Sequence, residues 1–349
     1  MKQGSPARAP LIGNSEIEIV ILASLCGLSL AKGAALDVAG SAHSFRSLLA
    51  FKCAGSVLRR AYTWYLEYCY DAFPKWRTQP ARKRAADRDV TGRTEAELKQ
   101  IENHDFCTMI AMFCLDFGTF YGIPQLYPFL DKPFVMMAPP VPVALLWFAK
   151  VLLHHYVMSF GMYWMHRNLH SNKFLWDHVH SLHHWAKTPL ARTTYMDHWL
   201  DNFFNAILCE TSTQLLVPLP VPLLVASRLF RMCESMEKHS GVSGWFNVAH
   251  SVQAAFLPWA QMPHHHDWHH EGHKNSNYTF ASLGGVWDVA FGTRHHGRAD
   301  QEAKRAATKQ DLKNDVRRGV SGDALLDHQL ICPLPVLGFL AAAGYTMLY

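Results

Sequence analysis

The sequence predicts an all-α protein, an integral-membrane helical bundle that carries a histidine-rich helical cap on its cytosolic side. Three observations lead there. Of 349 residues, 49% are hydrophobic and only 17% are charged, whereas a soluble domain carries about 25% charge. Four stretches are long and almost free of charge. Between them lie two polar blocks that hold most of the histidine: 19 of the 22 fall between His154 and His296.

Residues 1–104 are expected to form an N-terminal region with a membrane anchor and a basic linker. Residues 17–31 are apolar except for Glu18 and follow a long polar lead, which suits an anchor or interfacial helix better than a cleaved signal peptide. Residues 75–104 carry Lys75, Arg77, Arg82, Lys83, Arg84 and Arg88. They read as a solvated helix or linker. No aromatic residue interleaves with the cations after Trp76, which argues against nucleic-acid binding, and the same cations favour the cytosolic side of a membrane.

Residues 105–298 form the central domain and 299–349 a charged helix followed by an apolar span. The stretch 106–130 has one charge, Asp116; 134–153 has Lys150; 203–230 has Glu210 and Arg228; 329–349 has none. Crossing the hydrocarbon core takes about 20 apolar residues, so each is expected to be a membrane helix or a hairpin pair. Prolines 139, 140, 142, 218, 220 and 222 fall where such hairpins would bend. A soluble all-helical protein is the alternative. The eight scattered cysteines contain no CxxC pair and read as free thiols in a reducing compartment, not as a disulfide framework.

The chemistry lies in three histidine boxes: His166-Arg-Asn-Leu-His170, His180-Ser-Leu-His183-His184 and His266-Asp-Trp-His269-His270. On a helix, residues three and four apart share a face, with Cβ atoms about 5–6 Å apart, so each box aims imidazoles at neighbouring points. Imidazole nitrogen is a general ligand for zinc and iron. Eight imidazoles exceed what one ion can take, so two metals with ligands from several helix ends are expected. Unmetallated, such a cluster would be costly to bury. The boxes also sit among Trp164, Trp176, Trp185, Trp199, Trp268 and Trp287, which a disordered metal-sequestering tract would lack. Asp177, Asp197, Asp201, Glu237 and Asp267 lie within or beside the boxes and are candidates to receive the second ring N–H of a ligand; Asp267 is the foremost. His43, His104, His295, His296 and His328 read as ordinary residues, as do His154 and His155. His154, His155, His198, His250, His264, His265 and His273 stay open as additional ligands.

The ordered set HRNLH, HSLHH and HDWHH resembles the fatty acid hydroxylase/sterol desaturase superfamily of membrane di-iron oxygenases. The likeness covers about residues 105–293, with Tyr163-Trp164 before the first box, Asn277-Tyr278, and Trp287-Asp288 through Phe291-Gly292-Thr293 at the end. The segment Glu237-Lys238-His239-Ser240-Gly241 is similar to that of C4-methylsterol oxidases, which makes His239 a ninth ligand candidate. The chain departs from the pattern at 196–201, in the spacing from Asn277 to Trp287, and in the extra span after Gln329.

The resemblance implies two non-haem irons held by His166, His170, His180, His183, His184, His239, His266, His269 and His270, with no catalytic residue beyond these ligands. It implies an O2-dependent oxidoreductase that hydroxylates, oxidises or desaturates a sterol or fatty acyl lipid, located in the endoplasmic reticulum with the boxes facing the cytosol. Electrons must come from a separate cytochrome b5 or ferredoxin, since the chain has no HPGG or GxGxxG signature. The rivals are a zinc-dependent membrane hydrolase, which would leave about five box histidines without a task, and a metal-handling protein, which would place its ligands at mid-membrane depth.

Overall fold

The computed structural model describes residues 42–78, 94–119, 141–256, 261–272 and 285–293, together with Ser24 and Ile123. The expected anchor at 17–31, the charged helix at 299–320, the apolar stretch 329–349, His273 and Asn277-Tyr278 lie outside them.

The described chain is helical, with no β-strand among the described residues; an isolated antiparallel bridge pairs Arg77 with Val242. Helix α1 spans Ala42–Ala72, α2 Glu95–Phe117 and α3 Val141–Ser171. The short α4, Lys173–His178, leads into a 3-10 helix at His180–Trp185. Next come α5 at Trp199–Asn202, a π-helical turn at Phe203–Leu208, and α6 at Cys209–Leu216. The rest is α7 at Val221–Lys238, α8 at Val248–Phe256, α9 at Pro263–Gly272 and α10 at Val286–Ala290.

Helix starts follow local chemistry. Thr94 and Glu97 form a reciprocal capping box at α2, which satisfies two of the otherwise orphaned first-turn donors. Asn172 accepts from Leu175 N to start α4. Pro220 precedes α7, whose Pro222 sits in the first turn, where the missing N–H costs nothing.

Helix α7 lies at the centre and packs against α1, α8 and α9, while α3 packs against the π turn and α6. The small core clusters sit between these layers: Leu66, Ala191 and Met236 join α1 to α7, and Cys69, Val242 and Phe246 close the end beneath Trp76.

No helix among the described residues is long and apolar enough to cross a membrane. The described helices join apolar stretches to polar sequence. The first half of α2 is polar, with Glu95, Glu97, Lys99, Glu102 and Asp105. The second half of α3 carries His154, His155, His166 and His170. The stretch 203–230 is two helices, broken between Leu216 and Val221 where the prolines stand. The lone charges of the apolar stretches also find one another. Arg228 pairs with Asp116, and with Glu210 at 2.6 Å; Lys52 pairs with Asp116. Large apolar side chains nevertheless remain exposed on outward faces: Val57, Trp64 and Tyr68 on α1, and Leu145, Leu146, Leu153 and Phe160 on α3.

Candidate metal centre

Each histidine box is held by a different element. His166 and His170 end α3, one turn apart, with ring centroids separated by 5.2 Å. His180, His183 and His184 stand on the 3-10 helix, not on an α-helix. His266, His269 and His270 stand on α9, and His239 is the C-terminal cap of α7. All nine are buried, the most exposed at 8%.

The nine side chains converge as two groups. His166, His170, His180, His184 and His269 form one; His183, His239, His266 and His270 form the other. Within each, one ring nitrogen per residue lies within 4.8 Å of all the others. Three residues per turn bring His180 and His183 side by side, with centroids 5.4 Å apart and rings nearly parallel, yet each serves a different group. On α9 the one-turn pair His266 and His270 serves the second group and His269 the first. The two groups therefore adjoin.

The outward ring nitrogens are tied down. His180 Nδ1 lies 2.5 Å from Asp201 Oδ2, and His183 Nδ1 lies 2.5 Å from Asp197 Oδ1. His239 Nδ1 donates to Ser235 O at 2.7 Å and His270 Nδ1 to Ala186 O at 3.0 Å. A neutral imidazole has one N–H, so in these four rings the proton is on Nδ1 and Nε2 presents a bare lone pair inward. The inward atoms crowd together. His180 Nε2 is 2.9 Å from His166 Nε2 and 3.0 Å from His170 Nε2. His266 Nε2 is 2.9 Å from His239 Nε2 and 3.2 Å from His270 Nε2. His183 Nε2 and His239 Nε2 lie 3.4 Å apart.

Electrostatics favour the ligating form. Burial, reinforced by neighbouring imidazoles, holds His180, His184, His239, His266, His269 and His270 well below the usual imidazole range. Burial also opposes charging His183, but the Asp197 carboxylate outweighs it and raises that pKa. Burial lifts Asp201 to about 6, while Asn205 Nδ2 donates to its other oxygen at 2.6 Å. Asp201 and Asp197 thus play the part expected foremost of Asp267, which is buried within α9.

The remaining named histidines belong to neither group. His154 faces Val217 O, His155 faces Ser227 Oγ, and His250 donates to Glu237 Oε2 at 2.7 Å. His198 caps α5 and stacks on His104, His264 meets Ser243 Oγ, and His265 accepts from Met262 N.

The loop after His239 is locked. Gly241 has φ +70°, and a Cβ there would meet the Tyr70 ring at 3.1 Å and Pro189 O at 3.2 Å; its carbonyl accepts from Thr78 N at 2.9 Å. The tail 287–293 braces α3 just ahead of His166. Trp287 Nε1 donates to Ser159 Oγ at 2.8 Å, and Tyr163 OH meets Thr293 Oγ1 at 2.9 Å.

A cavity of about 330 Å³ opens onto both groups. His166, His180, His183, His239 and His266 line it, followed by Met109, Met112, Met158, Met162 and Met232, and then the Lys52–Asp116–Arg228–Glu210 network. Lys238 also lines it; burial lowers its pKa to about 8, which leaves it an ammonium at neutral pH. Sequence reasoning missed Lys238 and the charged network. For the network the available signal was the set of isolated charges within apolar stretches, each of which needs a partner when buried.

Residues 151–293 match the fatty acid hydroxylase family model. Methylsterol monooxygenase 1-3 of Arabidopsis thaliana is 25% identical over 192 residues, 53% of this chain and 60% of that protein. Very-long-chain aldehyde decarbonylase GL1-11 of Oryza sativa subsp. indica is 30% identical over 154 residues, 44% of this chain and 55% of that protein. The chain thus spans little more than half the length of these relatives. No solved structure matches.

Proposed function

With residues 151–293 belonging to the fatty acid hydroxylase family, we propose that the protein is a membrane-bound non-haem di-iron oxygenase that hydroxylates, oxidises or desaturates a lipid of sterol C4-methyl or fatty acyl type. The observation that carries this reading is the pair of adjoining imidazole groups, five and four strong, whose inward nitrogens face one another beside one shared cavity. The donor set suits such a metal pair: it is buried and oriented from behind by Asp201, Asp197 and backbone carbonyls. His166, His170, His180, His184 and His269 would hold one ion, and His183, His239, His266 and His270 the other. Two irons bound there would supply dioxygen activation and hydrogen abstraction from an unactivated C–H bond, with electrons from a cytochrome b5 or ferredoxin.

The chain's own residues supply the rest. The carboxylates fix ring tautomer and orientation, an arrangement known to raise ligand basicity. The methionines give the cavity an apolar, adaptable wall that excludes water and accepts an irregular hydrocarbon. The exposed apolar faces of α1 and α3 form patches of the kind that mark membrane contact and support a membrane setting; the endoplasmic reticulum, with the boxes toward the cytosol, is the setting the proposal takes from the family resemblance. A hydrolytic zinc site needs three protein ligands and a water, which leaves one whole imidazole group without a task.

Metal analysis tests the reading first. About two irons per chain are expected; one zinc per chain would overturn it. Lipid profiling after expression in a host lacking sterol C4-methyl oxidation then identifies the substrate, and an unchanged lipid profile with the protein metal-loaded would refute the sterol branch.

A further inference from the structure

Glu237 is fully buried in the last turn of α7, two residues before His239. Its carboxylate bonds to none of the nine clustered imidazoles and instead collects four donors from two other helices. Oε1 accepts from Tyr62 OH on α1 and from Ala249 N at 2.8 Å. Oε2 accepts from His250 N at 2.9 Å and from His250 Nδ1 at 2.7 Å. A carboxylate has about four acceptor positions, so this one is saturated. Ala249 and His250 stand in the first turn of α8, where backbone donors lack helical partners and negative charge is favoured. The backbone carbonyl of Glu237 holds the chain that follows. It accepts from His239 N, from Ser240 N at 3.0 Å and from Ser240 Oγ at 2.7 Å.

His239 depends on that frame. His180 and His183 are aimed by carboxylates that touch their rings, whereas His239 Nδ1 donates to a backbone carbonyl, Ser235 O at 2.7 Å. Its ring direction is therefore set by the path of the last turn of α7 and of the chain just after it. We infer that Glu237 and Tyr62 are positioning residues for the four-histidine group: the carboxylate pins the end of α7 to α8, and the phenol pins the carboxylate to α1. This rests on that group being one of the two metal sites of the proposed oxygenase. It also makes α1 part of the centre, although Tyr62 lies ahead of residues 151–293, the stretch that matches the family. Other α1 side chains brace the same end of the bundle: Tyr65 OH donates to Phe246 O at 3.1 Å, and the Tyr70 ring lies beside Gly241.

The test uses the full chain loaded with ferrous iron and competes it against a graded chelator, with ions counted per chain. Two backgrounds separate the groups: His269→Ala leaves the four-histidine group intact, and His183→Ala leaves the five-histidine group intact. In the first, Tyr62→Phe should weaken iron retention by about tenfold and Glu237→Gln by about 10- to 100-fold, the range for outer partners of metal ligands. In the second, neither change should matter, a selectivity that a general loss of stability would not produce. Because Tyr62 acts through Glu237, adding Tyr62→Phe to Glu237→Gln should cost nothing further. Three results would overturn the inference: Tyr62→Phe holding iron as tightly as its parent in the first background, equal weakening in both backgrounds, or additive losses in the double variant. Should Glu237→Gln fail to fold, the Tyr62→Phe comparison between the two backgrounds decides alone. The same selective weakening in a chain whose metal as isolated is not iron would sink the oxygenase reading and spare this one.

Discussion

Asp201→Asn is the most informative single change, because it keeps shape and removes one charge behind one imidazole group. Asp201 accepts from two donors at once, His180 Nδ1 at 2.5 Å and Asn205 Nδ2 at 2.6 Å. An amide has a single acceptor oxygen, so one of those donors would meet an NH2 group and be orphaned. Replacing a charge-assisted bond by a neutral one forfeits about 1 kcal/mol, and a buried unsatisfied donor costs about 1–3 kcal/mol. Part is regained, since burial already disfavours the ionised carboxyl and raises it to about 6. A net loss of about 1.4–2.7 kcal/mol, 10- to 100-fold in affinity, agrees with what other orienting carboxylates contribute. The loss should fall on the five-histidine group. Asp197→Asn should act on the four-histidine group and by less, since its side chain is 13% exposed against 6% for Asp201. Competition with a graded chelator, with metal counted per chain, separates the two. Each single variant should shed one of two ions early and the double variant both. Equal retention by wild type and Asp201→Asn across three decades of chelator would refute the orienting role.

Other outcomes follow from the same geometry. His183→Ala or His269→Ala should abolish lipid oxidation while the protein stays in the membrane fraction, as read by product analysis and fractionation; turnover by either variant would count against the centre. Gly241→Ala should destabilise the fold by about 1–3 kcal/mol, since a positive φ and two close neighbours both oppose a Cβ, as measured by denaturant unfolding. Arg228→Met should cost about 3–5 kcal/mol by stranding Glu210 and leaving Asp116 to Lys52 alone, and adding Glu210→Gln should recover much of it in the same assay.

The helices and eight of the nine inward histidines were legible because spacing alone places i, i+3 and i+4 residues together, and because too many imidazoles were present for one ion; His239 came only from the resemblance of its segment to that of C4-methylsterol oxidases. Their division was not legible. His180-Ser-Leu-His183-His184 reads as an α-helical face, but it forms a 3-10 helix in which His180 and His183 lie side by side and yet serve different groups. The orienting carboxylates were legible as a set and not as a ranking, because Asp197 and Asp201 reach the rings only through the turn that precedes α5. The lone charges Asp116, Glu210 and Arg228 interrupt two apolar stretches in the sequence. Only the packing of α2, α6 and α7 shows that they neutralise one another.

The division also means that the two groups are built on shared segments. The 3-10 helix gives His180 and His184 to one group and His183 to the other; α9 gives His269 to one and His266 and His270 to the other. Two short backbone segments therefore set both geometries together, and any shift that tightens one group moves ligands of its neighbour. An ion in the first group would fix the 3-10 helix and α9, and so would meet part of the ordering cost of the second. On that logic the two ions should bind with positive cooperativity. The coupling should vanish in a variant that cuts a shared segment's contribution to one group, such as His269→Ala, while the four-histidine group still takes up one ion. Two independent, identical binding steps in a metal titration of the unaltered chain would show that the segments do not carry this coupling.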